Sequence, residues 1–186
     1  MDSRAIVFLV AVAAFLVALA AVTVRSYHRA VKSSDRDWEQ LLKRLQVVDR
    51  NSITAVALDI FDESGQRRKD DGSRTLEPER IWSLIGGLKG LEVLEANCQV
   101  LIDLAFYVQR WYPEALVVAE QLRLSAREIE WHVERLKSAQ RIGKLKSAFA
   151  MYAQPAVGAY YVMTRRLLAV CEQENLPILA ELRRVL

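Results

Sequence analysis

Twenty consecutive residues near the N-terminus, Ala5 to Val24, include no charged side chain and only one polar one, Thr23. An α-helix rises about 1.5 Å per residue, so this run spans about 30 Å, the thickness of a bilayer's hydrocarbon core. Twelve of the twenty residues are Val, Leu, Ile or Phe. Each favours insertion by about 0.3–0.6 kcal/mol, which sums to about −4 to −7 kcal/mol with no charge to oppose it. The sequence therefore predicts an N-terminal transmembrane helix, an anchor within residues 1–24.

A cleaved signal peptide is the competing interpretation of this run. Ala18-Leu19-Ala20 has the small-x-small form of a cleavage site. The apolar run nevertheless continues for four residues beyond Ala20, which leaves no polar region before a cut at that point. Arg25 and Arg29 follow at once, as basic residues do after a stop-transfer segment. We favour an uncleaved anchor, with cleavage of residues 1–20 as the alternative.

The charges that flank the run predict its orientation. On the N-terminal side Arg4 is offset by Asp2, whereas the C-terminal side offers Arg25, Arg29, Lys32 and Arg36. An excess of Lys and Arg marks the cytoplasmic flank of a membrane helix. We therefore expect a single-pass membrane protein whose C-terminal domain is cytoplasmic.

Apolar residues recur at helical spacing through the rest of the chain, which predicts an all-α fold, an up-and-down helical bundle. We divide it into a juxtamembrane amphipathic helix over 25–50 and a bundle domain over 51–186 with a polar loop at 62–75. The pattern within the bundle predicts helices over about 51–61, 78–85, 88–111, 113–139, 144–153, 155–174 and 176–186. The helix over 88–111 is apolar on most of its circumference, so we expect it at the centre of the bundle. The four prolines, Pro78, Pro113, Pro155 and Pro177, are each interpreted as the start of a helix.

Two segments of the bundle domain have a second interpretation. The helix over 113–139 has a core stripe and also a thinner apolar row at seven-residue spacing, Val117, Leu124 and Trp131. Such a row requires either one more helix packed outside or a partner. The stretch 147–164 has no charge, which is compatible with a second membrane segment. Its Gln154, Pro155 and Gly158 favour a buried bundle helix instead.

Four polar residues form a narrow arc on the otherwise apolar helix over 88–111: Glu92, Glu95, Gln99 and Asp103. Acids on a largely buried helix are either paired with basic side chains or belong to a functional site. We favour pairing, with Arg165 and Arg166 as the candidate partners. The alternative function that this stripe allows is a small-ligand sensor or an enzyme with its site near Glu95 and Asp103.

Residues that bind metals or act in catalysis do not form a recognisable set. A di-iron bundle site needs Glu-x-x-His on each of two helices, whereas His132 is preceded by Glu128 at i−4 and Glu130 at i−2. We expect His132 on a helix surface near Glu128, and we expect Cys98 and Cys171 as buried apolar residues. The glycines of the segment 86–90 fit a helix junction better than a phosphate loop. The sequence predicts no catalytic residue, metal or cofactor.

Five basic residues fall within twelve positions: Arg135, Lys137, Arg141, Lys144 and Lys146. Near an anchored domain such a patch would contact anionic lipid head groups at about 1 kcal/mol per charge, and a solvated turn is equally compatible. The net charge of +3 is spread along the chain, so nucleic acid is not an expected partner. We expect the lipid bilayer and a protein partner or a second copy of the chain, and hence a membrane-anchored interaction or scaffold module rather than an enzyme.

Overall fold

A computed structural model of the protein describes residues 38–62 and 76–186, together with the isolated positions Val12 and Val17. Seven helices and no β-strand are found in these residues, which confirms the predicted all-α class for them. The helices are α1 (Trp38–Leu42), α2 (Arg50–Leu58), α3 (Pro78–Ile85), α4 (Gly87–Val108), α5 (Ala115–Arg141), α6 (Leu145–Gln173) and α7 (Leu179–Val185). The predicted anchor, its basic flank and residues 63–75 of the polar loop lie outside the described residues. Over the two described ranges, no helix has both the length and the hydropathy that crossing a membrane requires.

The three long helices α4, α5 and α6 follow one another up and down, as the pattern predicts. Glu95, in the first half of α4, contacts Lys137 near the end of α5, so these two helices are antiparallel. A short turn at Gly143, which has a φ of +72°, then reverses the chain into α6. Because of the two reversals, α4 and α6 run in the same direction. The described part of the chain is therefore a helical bundle, with the short helices packed around its long ones.

Helix α6 has the most neighbours, since it packs against α2, α3, α4, α5 and α7. We expected α4 at the centre, and α4 indeed contacts α1, α3, α5 and α6. The centre is therefore shared by two helices. The uncharged stretch 147–164 lies within α6, and most of its residues are buried between helices. Its lack of charge is explained by burial in the protein core.

Pro155 lies inside α6 and not at a helix start, so the two helices predicted over 144–153 and 155–174 are one. A proline lacks the N–H that would bond to the carbonyl four residues earlier, here that of Met151. Around Pro155 the helix is held by buried contacts with the end of α2. Gln154 Nε2 donates to Asp59 Oδ2 at 2.7 Å, and Gly158 lies against Phe61.

Helix α1 ends at Leu42, so the juxtamembrane helix predicted over 25–50 is wrong from residue 43 onward. The backbone of Gln46 bonds with the side-chain amide of Asn97 on α4 instead of continuing the helix. Leu41, Leu42 and Leu45 are buried in the common core. This segment is therefore part of the bundle and not a separate amphipathic element.

The junction of α3 and α4 agrees with the interpretation of its glycines. Gly86 adopts a left-handed conformation with a φ of 78°, and its N–H donates to the Trp82 carbonyl. A Cβ at Gly90 would lie 1.7 Å from the carbonyl oxygen of Ile85. The glycines thus allow a tight turn and a close backbone approach, and neither requires a bound phosphate.

Candidate functional site

The polar stripe on α4 is paired with basic residues, but not with the predicted ones. Asp103 is buried, and its Oδ2 lies 3.2 Å from Arg44 Nη1. Its Oδ1 accepts a hydrogen bond of 2.9 Å from Gln99 Nε2. Arg165 and Arg166 instead lie exposed on α6. Asp103 therefore helps to attach the segment after α1 to α4.

Glu95 connects α4 to α5. Its Oε2 lies 3.5 Å from Lys137 Nζ, which also bonds to Glu134 Oε1 at 2.9 Å. Partial burial raises the pKa of Glu95, and the charge of Lys137 opposes this rise. The hydrogen bond with Glu134 in turn raises the pKa of Lys137. Glu92, at the start of the stripe, is exposed. The stripe thus has two acids in ion pairs, Glu95 and Asp103, and two exposed residues, Glu92 and Gln99.

Asn97 is a buried polar residue whose role sequence analysis missed. Its Oδ1 accepts from the Gln46 N–H at 2.9 Å, and its Nδ2 donates to the Gln46 carbonyl at 2.8 Å. Nδ2 also lies 3.3 Å from the hydroxyl of Tyr160 on α6. Burial raises the pKa of Tyr160 to about 12, so this hydroxyl stays neutral. The only signal in the sequence is an amide at a core position, three residues after Leu94 and four before Leu101.

His132 is buried, so its prediction as a surface residue is wrong. The rings of Trp131 and of Tyr152 on α6 lie beside it, with centroids 4.9 and 6.0 Å away. Its Nε2 lies 4.0 Å from Glu128 Oε1, while its Nδ1 has no hydrogen-bond partner in the described part of the chain. Burial lowers the pKa of His132, which favours the neutral imidazole.

The cysteines are buried free thiols, as predicted. Burial raises the pKa of Cys98 to about 12 and that of Cys171 to about 11, so both stay protonated and unreactive. Among residues 38–62 and 76–186, no group of three or more His, Cys, Asp or Glu side chains is placed to hold a metal ion.

The thin apolar row on α5 is exposed over its whole length, and we call it the α5 face: Val117, Leu124 and Trp131. Their exposed fractions are 62%, 66% and 50%. Trp131 is nevertheless held from two sides, since the ring of Tyr152 lies 5.9 Å away and the guanidinium of Arg135 lies 5.1 Å from its ring. The α5 face is therefore an exposed apolar row on one helix.

A groove of about 500 Å³ lies beside Trp131, at the turn between α5 and α6. Ile142, Met151 and Tyr152 give it apolar walls, and Arg135 and Lys144 give it positive charge. Ile142 and Met151 are largely exposed. Because Tyr152 contacts Trp131, the groove continues the α5 face.

The structure divides the predicted basic patch into two parts. Lys137 is bonded to carboxylates between the helices, and Arg135 stacks over Trp131. Arg141, Lys144 and Lys146 are exposed at the turn. Four of the five charges of the patch are therefore exposed, and that of Lys137 is paired with carboxylates.

This basic turn lies far from the place where the chain enters the bundle. Arg44 contacts Asp103 and Gln46 contacts Asn97, so residue 38 lies toward the C-terminal end of α4. The contact between Lys137 and Glu95 places the turn at the opposite end, near Gly87. Sixteen helical residues separate Asp103 from Gly87, which corresponds to about 24 Å.

The described residues form a helical bundle with an exposed apolar face on α5. Comparison with known proteins finds no matching protein family, no similar curated protein and no similar solved structure.

Proposed function

We propose that this protein is a membrane-tethered interaction module whose α5 face binds an amphipathic helix of a partner protein. The observation that carries the proposal is the row Val117, Leu124 and Trp131, half or more exposed at every position. Apolar residues at seven-residue spacing supply one of the two positions in each heptad along which a second helix packs.

The partner's chemistry follows from the surroundings of the row. Trp is enriched among the few interface residues that contribute most of the binding energy. Tyr152 and Arg135 already orient Trp131, which reduces the entropy lost on binding. The adjoining groove carries Arg135 and Lys144. We therefore expect the partner helix to have acidic residues at the end that reaches the groove.

The tether is the uncharged run within residues 1–24. Its basic flank supports a cytoplasmic location for the bundle. The basic turn at 141–146 lies about 24 Å beyond Asp103 along the bundle, on the side away from the chain's entry. We assign its charges to the protein partner, because Lys144 lines the groove that continues the α5 face.

A small-ligand site near Glu95 and Asp103 is less well supported. Both carboxylates contact basic side chains. Neither acid lines the cavities beside Tyr160, Trp82 and Tyr152.

The test is site-specific photocrosslinking in intact cells, with the full-length chain carrying a photoreactive residue at Leu124. We expect a crosslink to an amphipathic helix of another protein, mapped by mass spectrometry. Trp131→Ala should abolish this crosslink. Trp111→Ala is the matched control and should retain it, because Trp111 is 57% exposed but lies outside the row.

Three results would contradict the proposal: a crosslink only to another copy of this chain, a crosslink only to lipid, or a crosslink that does not respond to Trp131→Ala. A photoreactive residue at Val47, which is 87% exposed, shows the background of random collisions.

A further inference from the structure

A cavity of about 260 Å³ lies between the first turns of α2 and the second half of α6. Arg50 and Thr54 are one turn apart on α2, and Thr164 and Arg165 face them from α6. The remaining walls are mostly apolar: Val48, Ile53, Tyr160, Tyr161, Leu168 and Leu186, with the amide residue Asn51. The cavity is separate from the α5 face, so an inference about it does not rest on the binding of a partner helix there.

The charged side chains that line this cavity are both basic. Arg50 and Arg165 both line it, and neither has an acidic partner within the part of the chain that the structure describes. No Asp or Glu side chain lines the cavity. The adjacent Asp49 caps α2, accepting from the Asn51 N–H at 3.0 Å and from Ser52 Oγ at 2.7 Å. These hydrogen bonds lower the pKa of Asp49 and engage its carboxylate.

We propose that this cavity binds a small molecule carrying a phosphate group. A guanidinium pairs with phosphate oxygens through two parallel hydrogen bonds. A phosphate monoester carries a charge of about −1.5 to −2 at neutral pH, which matches two arginines better than a carboxylate does. Thr54 and Asn51 supply neutral donors beside them.

The volume and the position of the cavity restrict the class of ligand further. Its volume is below the range of about 300–1,000 Å³ of pockets for drug-sized ligands, so it fits a phosphate with a few carbon atoms. The hydroxyl of Tyr160 contacts Asn97 of α4. Arg165 follows Tyr160 along α6 and therefore lies nearer the end of the bundle where residue 38 is located. The phosphate therefore has two possible sources: a free phosphate ester, or the head group of a lipid in the membrane that the anchor would occupy.

The test uses the full-length protein in a neutral detergent, titrated with inorganic phosphate against chloride at constant ionic strength. We expect phosphate to raise the thermal unfolding midpoint. Loss of a charged hydrogen-bond pair weakens binding about tenfold or more, so Arg50→Gln and Arg165→Gln should raise the apparent Kd by at least that factor. Arg166→Gln is the control and should leave it unchanged, because Arg166 is equally exposed but does not line the cavity.

A second experiment distinguishes a lipid head group from a free phosphate ester. The full-length protein is placed in nanodiscs of phosphatidylcholine alone or of equal parts phosphatidylcholine and phosphatidic acid. A midpoint raised only by phosphatidic acid, and only when Arg165 is present, supports a lipid head group. A shift with inorganic phosphate in detergent, lost in Arg165→Gln, supports a free ester. The proposal is overturned if no shift occurs in either arm, or if Arg166→Gln weakens the shift as much as Arg165→Gln does.

Discussion

His132 lies among aromatic rings with one ring nitrogen, Nδ1, buried and without a hydrogen-bond partner in the described residues. Protonation would place a charge at this position, and the pKa of the folded state is therefore lowered from 6.5. The unfolded chain then binds the proton more readily than the folded chain does. The neutral imidazole contributes its full share of the folding free energy above the pKa that His132 has in the unfolded chain. This contribution is lost as the pH falls through the lower pKa that His132 has in the folded protein.

We therefore predict that His132→Phe reduces the acid sensitivity of the fold between about pH 7 and pH 5. The thermal unfolding midpoint of the full-length protein should fall less over this range in the variant than in the wild type. The carboxylate of Glu128 favours the protonated imidazole, because its Oε1 lies 4.0 Å from Nε2 of His132. Glu128→Gln removes this charge and should therefore increase the acid sensitivity of the fold. Parallel pH profiles for wild type and His132→Phe would rule out His132 as the source.

The sequence predicted that acids on α4 are paired, but not with which residues. Asp103 was expected to pair with Arg165 or Arg166, and it pairs with Arg44, 59 positions earlier in the chain. Asn97 was not singled out, although it bonds to both backbone groups of Gln46. Periodicity assigns a residue to a face of its own helix. Which residue of another element meets that face depends on packing between helices, which the local pattern does not encode.

At the scale of elements, the contact between α2 and α6 depends on Gly158. A Cβ there would lie 2.1 Å from Cε2 of Phe61. Ala is favoured over Gly within a helix by about 1 kcal/mol, whereas overpacking a core costs about 1–3 kcal/mol. We predict that Gly158→Ala lowers the free energy of unfolding in the wild type, by up to about 2 kcal/mol.

The same substitution should have the opposite sign in a Phe61→Ala background, where the clash is removed and only the helix preference of about 1 kcal/mol remains. Urea unfolding of the four full-length variants in detergent gives the complete double-mutant cycle. If Gly158→Ala has the same sign in both backgrounds, Phe61 does not set the distance between α2 and α6.

The helices with strong periodicity and clear ends were predicted well, and those governed by tertiary contacts were not. Helix α3 begins at Pro78 and ends before Gly86 as the sequence indicates. The predicted core stripe of α5 includes Leu122, Ile129 and Val133, all fully buried. By contrast, α1 ends early because Asn97 bonds to the Gln46 backbone, and α6 continues through Pro155 because neighbouring helices hold it on several sides. Both differences come from interactions between elements distant in sequence.

At the scale of the whole molecule, the segment 38–49 is docked on the bundle. Leu41, Leu42 and Leu45 are buried, and Arg44 contacts Asp103. From Trp38 onward the chain is therefore part of the packed bundle, and its first described residues lie at the end of the bundle that is opposite the α5–α6 turn.

The tether itself gives the last prediction, which rests on the summed insertion preference of about −4 to −7 kcal/mol. An arginine at the centre of a membrane helix costs about 2.5–3.5 kcal/mol, to which the lost apolar residue adds about 0.5 kcal/mol. Leu16→Arg alone should therefore leave the full-length protein in the membrane pellet after a carbonate wash. Phe15→Arg combined with Leu16→Arg costs about 6–8 kcal/mol and should release it. The control, Phe15→Ala with Leu16→Ala, keeps the run uncharged and should remain in the pellet.

Release of the wild-type chain with a new N-terminus near Ala21 would establish the cleaved signal peptide instead, because an uncut run of this hydropathy does not leave the bilayer on a carbonate wash.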